Sequence, residues 1–169
     1  MNLDERLLLL ARTCGHSPAA ERAVARFSRL GEHGGVWLGI GVAGQALDAG
    51  RRTRWRRATA AVAATYAANV AIKLVVRRPR PSLPGLPALT GTPTGLSFPS
   101  AHASTSFAGA FAYTRLGVPA APLYALAASL AVSRLYLGVH YPSDMLGGAL
   151  LGTALAGVLT REDCAPVRS

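Results

Sequence analysis

The stretch from Ser133 to Asp144 places an arginine, a histidine and an aspartate at short spacing between two apolar runs. Pro142 begins a predicted helix, so His140 lies just ahead of it and Asp144 in its first turn, where a carboxylate can hold one imidazole nitrogen. With Arg134, these groups beside a helix N-terminus suit an anionic substrate. Taken alone, the stretch is also consistent with an ordinary polar loop.

Two further parts of the chain combine the same kinds of residue. Lys73 lies near the end of an apolar run, and Arg80 follows it directly before a proline. A lysine so deep in an apolar helix is costly and usually functional, although its ammonium could also reach the membrane surface. Further along, Ser100 has the character of a helix N-cap. It places Ala101 and His102 in the first turn, where backbone N–H groups are free.

The composition indicates what kind of fold holds these clusters. Half of the 169 residues are hydrophobic and only 15% are charged, and the charges leave long apolar stretches between them. A soluble domain of this size spreads its charges along surface helices. We therefore predict a single all-α domain built as a polytopic membrane helical bundle. Alanine and glycine dominate the apolar runs, as expected where membrane helices pack closely.

The net charge of +10 could indicate a nucleic-acid partner. However, the basic residues are almost all arginines at the ends of apolar runs, and no basic stripe with interleaved aromatic residues is present. Contact with anionic headgroups or a phosphorylated lipid explains the charge better. We predict a membrane bilayer and a lipid-linked phosphate as partners, and no nucleic acid.

The apolar pattern predicts about five transmembrane helices after an N-terminal region. Residues 1–33 form two amphipathic helices, which suit either the membrane interface or a soluble cap over the bundle. A glycine-rich break follows, in which His33 is interpreted as an ordinary loop histidine. The predicted membrane core covers 34–160, followed by a polar tail at 161–169, and 82–96 form a loop or an excursion along the membrane surface. The apolar segments are 36–49, 58–76, 97–116, 118–137 and 142–159, of which the first is short for a span.

If each segment crosses the membrane, the three polar clusters reach the same membrane face. The opposite face collects the basic block 51–57, Arg115 and the C-terminal arginines. Arginine-rich faces are usually cytoplasmic, so the clusters are predicted to face the extracytoplasmic side of a multi-pass plasma-membrane protein. The same topology places Cys14 and Cys164 on opposite sides of the membrane. Their positions indicate neither a metal site nor a disulfide framework.

The three clusters read Lys73-x6-Arg80-Pro81, Pro99-Ser100-Ala101-His102 and Ser133-Arg134-x5-His140-x3-Asp144. This pattern resembles the three-part signature of the type 2 phosphatidic acid phosphatase family, which shares its site with vanadium-dependent haloperoxidases. The match covers residues 73–144, and the apolar segments extend the likeness over most of the chain. One position departs from the family, which usually has glycine where Ala101 stands; alanine keeps the backbone N–H that this position offers.

The resemblance implies how a phosphate is bound. Lys73, Arg80 and Arg134 bring three positive charges to a group whose negative charge grows as its bond breaks. Ser100 and the N–H of Ala101 donate to the phosphate oxygens at a helix N-terminus. Because these cations supply the positive field, the resemblance implies no metal and no other cofactor.

The resemblance also implies the catalytic roles. His140 resembles the nucleophile that forms a phosphohistidine, with Asp144 fixing its tautomer. His102 resembles the general acid that protonates the leaving oxygen and later activates water. Arg77 and Arg78 do not occupy a signature position. We predict an interfacial structural role for them, with contact to a phosphate or a headgroup as the alternative.

The substrate implied by the resemblance is a lipid-linked phosphate. The residues around Gly31-Glu-His33 and Ser97–His102 look similar to actinobacterial members of the family, including phosphatases of decaprenylphosphoryl-5-phosphoribose in arabinan precursor synthesis. Phosphatidylglycerol phosphate, phosphatidate and isoprenyl diphosphates are alternative substrates. A non-enzymatic lipid-phosphate transporter is the alternative from another class, although binding alone would not need both histidines. Vanadate-dependent oxidation shares the site but normally belongs to larger soluble enzymes.

Overall fold

The structure, a computed structural model, describes residues 1–161; the last eight residues, with Cys164 and most of the predicted polar tail, lie outside the described part. The described residues form helices and no strand, so the all-α prediction is confirmed. In chain order the helices are α1 (Leu3–Thr13), α2 (Pro18–Ser28), α3 (Gly35–Leu47), α4 (Arg52–Val76), α5 (Ala101–Thr114), α6 (Ala120–Tyr136) and α7 (Pro142–Leu159). Short 3₁₀ helices at Arg29–Gly34 and Ala49–Arg51 precede α3 and α4.

Local signals set most helix boundaries. The hydroxyl of Ser17 accepts from the backbone N–H at the start of α2, and that of Ser100 does the same for α5, where it confirms the predicted N-cap. Pro142 is the first residue of α7, as predicted. The basic block 51–57 was expected to lie outside the helix that begins near residue 58. In the structure the residues from Arg52 onward form the first turns of α4. Arginine is a good helix former, and no proline interrupts the block.

Helix α5 lies at the centre of the bundle and packs against α4, α6 and α7. Its approach to α7 is close because two glycines face its backbone. A Cβ built at Gly152 would lie 2.0 Å from the carbonyl oxygen of Ser104, and one at Gly148 would lie 2.7 Å from that of Ser100. This contact joins the beginnings of the two helices, where the N–H of Ser100 donates to the carbonyl oxygen of Asp144 at 3.0 Å.

Two described helical stretches, Ala49–Val76 and Pro142–Leu159, are long and apolar enough to cross a bilayer. Only 28% of the most apolar part of each is buried, and Leu74, Leu146 and Leu150 are exposed. A core helix of a soluble protein would bury such side chains, so these helices indicate a membrane protein. The other apolar helices are shorter than a full span, and five crossings remain a prediction.

Helix α1 is tied to the end of α6, to the loop that follows it and to the 82–96 loop. Arg12 of α1 is buried, and it donates to the carbonyl oxygens of Tyr136 at 3.1 Å and Pro87 at 2.8 Å. Gly138 adopts a positive φ of 73°, and a Cβ there would lie 2.7 Å from Nε of Arg12. Because glycine satisfies both requirements, α1 can sit directly on this loop. The N-terminal region therefore covers one end of the bundle; its place relative to a membrane surface stays a prediction.

Candidate active site

The three sequence clusters meet at one cavity of about 350 Å³. The predicted site residues among its lining are Lys73, Arg80, Ala101, His102, Arg134 and His140. The other two, Ser100 and Asp144, are fully buried and do not line the cavity. Ser100 uses its hydroxyl oxygen as the cap of α5, so its hydrogen-bonding role in this structure is with the backbone.

The contacts of His140 define its tautomer. Arg80 lies with Nη1 3.1 Å from Nε2 of His140. A guanidinium can only donate, so Nε2 accepts and carries no hydrogen. The proton of the neutral ring is therefore on Nδ1, which lies 3.3 Å from Oδ2 of Asp144 and donates to it. The arrangement leaves a lone pair on Nε2, the nitrogen on the side of Arg80.

The electrostatic surroundings keep His140 neutral. Burial lowers the pKa of His140 to about 4. The hydrogen bond that His140 donates to Asp144 opposes this change, and the positive charges of Arg80 and Lys73 add to the decrease. Burial also lowers the pKa of Arg80, although the nearby Asp144 opposes that change. At neutral pH the imidazole of His140 is therefore uncharged and keeps a lone pair beside the charged guanidinium of Arg80.

Lys73 projects from the last turn of α4 toward the loop before α5. Its ammonium donates to the carbonyl oxygens of Ser97 at 3.0 Å and Pro99 at 2.6 Å. An ammonium has three N–H donors, so one remains for a group in the cavity. Asn69, one turn earlier on the same face, donates to the carbonyl oxygen of Pro99 at 3.1 Å and helps to hold this loop.

Ser28, at the end of α2, connects His102 with Arg134, and the sequence did not single it out. Its carbonyl oxygen lies 2.9 Å from Nε2 of His102 and can only accept, so Nε2 carries a hydrogen and Nδ1 is the nitrogen left for other partners. Nη1 of Arg134 donates to the Ser28 hydroxyl at 2.7 Å. Within residues 1–161, the buried Nε of Arg134 has no hydrogen-bond partner. An unpaired buried N–H is costly unless a ligand accepts it, as an anion in this cavity could.

Arg78 has a role that differs from the predicted interfacial one. Its Nη1 donates to Oδ1 of Asp144 at 2.9 Å, and its Nη2 donates to Oδ2 of Asp4 in α1 at 2.9 Å. Asp4 also accepts from the hydroxyl and the backbone N–H of Ser143 at the start of α7. Against the effect of burial, these hydrogen bonds from Ser143 and Arg78 hold the pKa of Asp4 below its usual value. No local sequence signal links Asp4 to residues so far along the chain.

Glu32 and His33 also line the cavity, which corrects the interpretation of His33 as an ordinary loop histidine. His33 lies with Nδ1 2.7 Å from the hydroxyl of Tyr66, which lines the same cavity. The break predicted by the glycines at 31, 34 and 35 is present in the structure. The glycine pattern could have indicated a shaped turn, but not where the turn points.

Comparison with known proteins identifies the class to which this fold and site belong. The sequence profile of the PAP2 superfamily matches residues 54–162, which include all three clusters. The chain belongs to the PAP2 superfamily, and it is a phosphatase.

Among individual proteins, the chain is 39% identical over 146 residues to the decaprenylphosphoryl-5-phosphoribose phosphatase of Mycolicibacterium smegmatis, covering 86% of this chain and 80% of that one. The fold is similar to the crystal structure of Aquifex aeolicus LpxE, with a TM-score of 0.80, 24% identity, and coverage of 94% of this chain and 95% of that one. It is also similar to a transmembrane PAP2-type phosphatidylglycerolphosphate phosphatase from Bacillus subtilis, with a TM-score of 0.74 and 22% identity. This similarity covers 92% of this chain and 82% of that one.

Proposed function

We propose that this protein is an integral-membrane phosphatase that hydrolyses a phosphate monoester on a polyprenyl-linked sugar, with decaprenylphosphoryl-5-phosphoribose as the first candidate. The observation that carries the proposal is the pairing of His140 with Asp144 at a cavity that three cationic side chains also line. The 39% identity to a phosphatase named for this substrate supports the choice of compound. The product would be an arabinan precursor for the cell wall.

The substrate phosphate would bind between Arg80, Lys73 and Arg134. Its oxygens would accept the free ammonium hydrogen of Lys73 and the unpaired Nε hydrogen of Arg134. They would also replace Nε2 of His140 as the acceptor for Arg80, which frees the lone pair of the nucleophile. Ala101, in the first turn of α5, lines the same cavity, and its backbone N–H would add a donor.

The first chemical step forms a bond between phosphorus and Nε2 of His140 and breaks the bond between phosphorus and the leaving oxygen. Asp144 accepts from Nδ1 and stabilises the positive charge on the ring. His102, protonated when substrate is bound, gives the proton of Nδ1 to the leaving oxygen. The lipid-linked alcohol departs, and a phosphohistidine remains.

The second step returns the enzyme to its starting state. The Nδ1 lone pair of His102 takes a proton from water, and the water oxygen attacks phosphorus as the bond to Nε2 breaks. Inorganic phosphate leaves with the water oxygen, and His102 retains the proton for the next cycle. Throughout, Lys73, Arg80 and Arg134 stabilise the charge on the phosphoryl oxygens, so we propose that no metal ion takes part.

The proposed setting is the plasma membrane, crossed by the five apolar helices α3 to α7, with the cavity on the extracytoplasmic side. The opposite end of the bundle gathers Arg51, Arg54, Arg57 and Arg115 around one concavity, which suits the cytoplasmic face. Val70 and Leu74 of α4 line the cavity, and both are exposed. They provide an apolar path along which a prenyl chain can leave the cavity into lipid.

The test is release of inorganic phosphate by purified protein in detergent with excess EDTA. The panel contains decaprenylphosphoryl-5-phosphoribose, phosphatidylglycerol phosphate, phosphatidate and an isoprenyl diphosphate. We expect turnover of the sugar phosphate that His140→Ala abolishes, and a transient ³²P-labelled protein whose label is stable to base and labile to acid. Release that survives His140→Ala contradicts the mechanism, and release from glycerolipids alone contradicts the substrate. Binding without release in the wild type would favour the transporter alternative.

A further inference from the structure

The turn that precedes α3 has an unusual backbone. Glu32 is extended, with φ −60° and ψ 130°, and His33 follows in the left-handed region with φ 52° and ψ 19°. This conformation is uncommon for a residue other than glycine, although histidine adopts it more often than most, and residues in it cluster at functional sites. This turn therefore deserves a functional explanation beyond a change of chain direction.

Close contacts on both sides hold the turn in place. A Cβ at Gly31 would lie 2.6 Å from Cδ2 of His102, and one at Gly34 would lie 3.2 Å from Cβ of Thr105. Both contacts are with α5, the helix that carries the predicted general acid. Glu32 and His33 lie between these two anchored glycines and line the cavity.

The chemistry of this wall differs from that of the phosphate side. A carboxylate only accepts hydrogen bonds, and the Glu32 carboxylate accepts none from residues 1–161. A phosphate likewise offers acceptors and negative charge, so Glu32 would repel it. A sugar hydroxyl group can donate to this carboxylate and carries no charge that Glu32 would repel. His33 and Tyr66 extend this wall, with their rings edge to face at a centroid distance of 5.5 Å.

We propose that Glu32, with His33 and Tyr66, forms a hydroxyl-binding subsite that recognises the sugar of the leaving group beside the phosphate site. The inference rests on the proposed phosphatase function and adds that substrates are selected by their hydroxyl groups. Glycerolipid phosphates such as phosphatidate, whose leaving alcohol carries no other hydroxyl, do not use this subsite. Glu32 and His33 are exposed at the cavity wall, so such a site discriminates because a substrate without the hydroxyl groups cannot form the hydrogen bonds that the ribose makes to the carboxylate.

The experiment measures kcat and KM of the purified full-length protein on three monoesters. These are a short-chain prenylphosphoryl-5-phosphoribose, its 2,3-dideoxy analogue and phosphatidate. We expect Glu32→Gln to lower kcat/KM on the ribose substrate by about 10- to 100-fold, the range for one charge-assisted hydrogen bond, and to leave the other two unchanged. Glu21→Gln, an acid in α2 outside the cavity lining, is the matched control and should change none of the three.

A second variant guards against a folding defect. His33→Asn keeps a residue that tolerates the left-handed conformation, removes the imidazole, and should lower activity on the ribose substrate selectively. An equal loss of activity on all three substrates would mean that Glu32 acts through its charge on Arg134, and this result would overturn the proposal. An unchanged activity on all three substrates would overturn it as well. If the wild type cleaves phosphatidate and spares the ribose substrate, the subsite is wrong while the phosphatase function stands. If it cleaves no monoester, the proposed function itself fails.

Discussion

Arg78 donates to Oδ1 of Asp144 at 2.9 Å, while the other oxygen of that carboxylate holds His140. The backbone N–H of Tyr141 also donates to Oδ2, at 2.8 Å, and the Arg78 guanidinium lies 4.1 Å from the centre of the Tyr141 ring. The orientation of the proposed nucleophile therefore depends on a residue that does not line the cavity. Through Asp4, it also depends on the first helix of the chain.

Replacing Arg78 with alanine should reduce kcat far more than it changes KM. The carboxylate of Asp144 would lose its charged partner and rotate, and a misplacement of an ångström at a reacting group costs about 100-fold. We expect a fall in kcat of about 10- to 100-fold, measured by steady-state phosphate release. Arg77→Ala, one residue earlier and exposed, is the matched control and should retain activity. A rise in KM with kcat unchanged would instead place Arg78 in substrate binding.

Asp4→Asn tests whether α1 helps to position Asp144 through the hydrogen bond between Asp4 and Arg78. The amide keeps one acceptor oxygen but loses the charge, so its hydrogen bonds with Arg78 and Ser143 weaken. A smaller fall in kcat than that of Arg78→Ala is expected, together with a loss of about 1–3 kcal/mol in stability, from a hydrogen bond to a charged group. Thermal unfolding in detergent measures the second effect. If both quantities match the wild type, α1 does not position the site.

The pH dependence should show an unusually acidic limb. The pKa of His140 is lowered to about 4 by burial, below the ordinary value near 6.5, so the neutral nucleophile persists as pH falls through that range. Activity should be lost as pH falls through about 4, read from kcat/KM after correction for the phosphate ionisation near 6. The unfolded chain binds this proton more readily than the folded protein. The contribution of His140 to the free energy of unfolding is therefore complete above about pH 6.5 and is lost as the pH falls to about 4. A limb at 6.5 that Asp144→Asn leaves in place would contradict this prediction.

The contact between α5 and α7 provides a matched pair of glycine substitutions. Gly152→Ala places a methyl group against the carbonyl oxygen of Ser104, so the helices must separate. We expect a loss of about 1–3 kcal/mol, typical of an overpacked core, measured by unfolding in detergent. At Gly157 the nearest atom to a new Cβ is a Phe111 ring carbon at 3.7 Å, an ordinary contact, and alanine there should be neutral or stabilising. Equal effects at the two sites would contradict this packing argument.

The predicted membrane topology can be tested with the two cysteines. Cys14 is exposed at the end of α1, on the side of the bundle that carries the cavity, whereas Cys164 lies outside the described residues. In intact cells, a membrane-impermeant thiol reagent should label Cys14 in a Cys164→Ser variant and should not label Cys164 in a Cys14→Ser variant. Labelling of both positions would contradict an odd number of crossings.

The features that could be predicted from the sequence depend on short-range interactions. Ser17 and Ser100 begin helices because a side-chain hydroxyl next to free N–H groups is a local signal, and Pro142 acts in the same way. The spacing of His140 and Asp144 already placed them in contact. The length of α4 was underestimated because residues 52–57, four arginines with a threonine and a tryptophan, gave no local sign of whether they continued the helix.

By itself, the sequence determined the helical fold, the three clusters and the pairing of His140 with Asp144, since periodicity, capping and four-residue spacing act within a few turns of chain. Only the tertiary structure decided that Ser28 joins His102 to Arg134, that Asp4 reaches Asp144 through Arg78, and that Glu32 lines the cavity. These partners lie far apart in the chain. Which buried polar groups meet depends on how glycine contacts such as those at Gly138 and Gly152 allow the helices to approach.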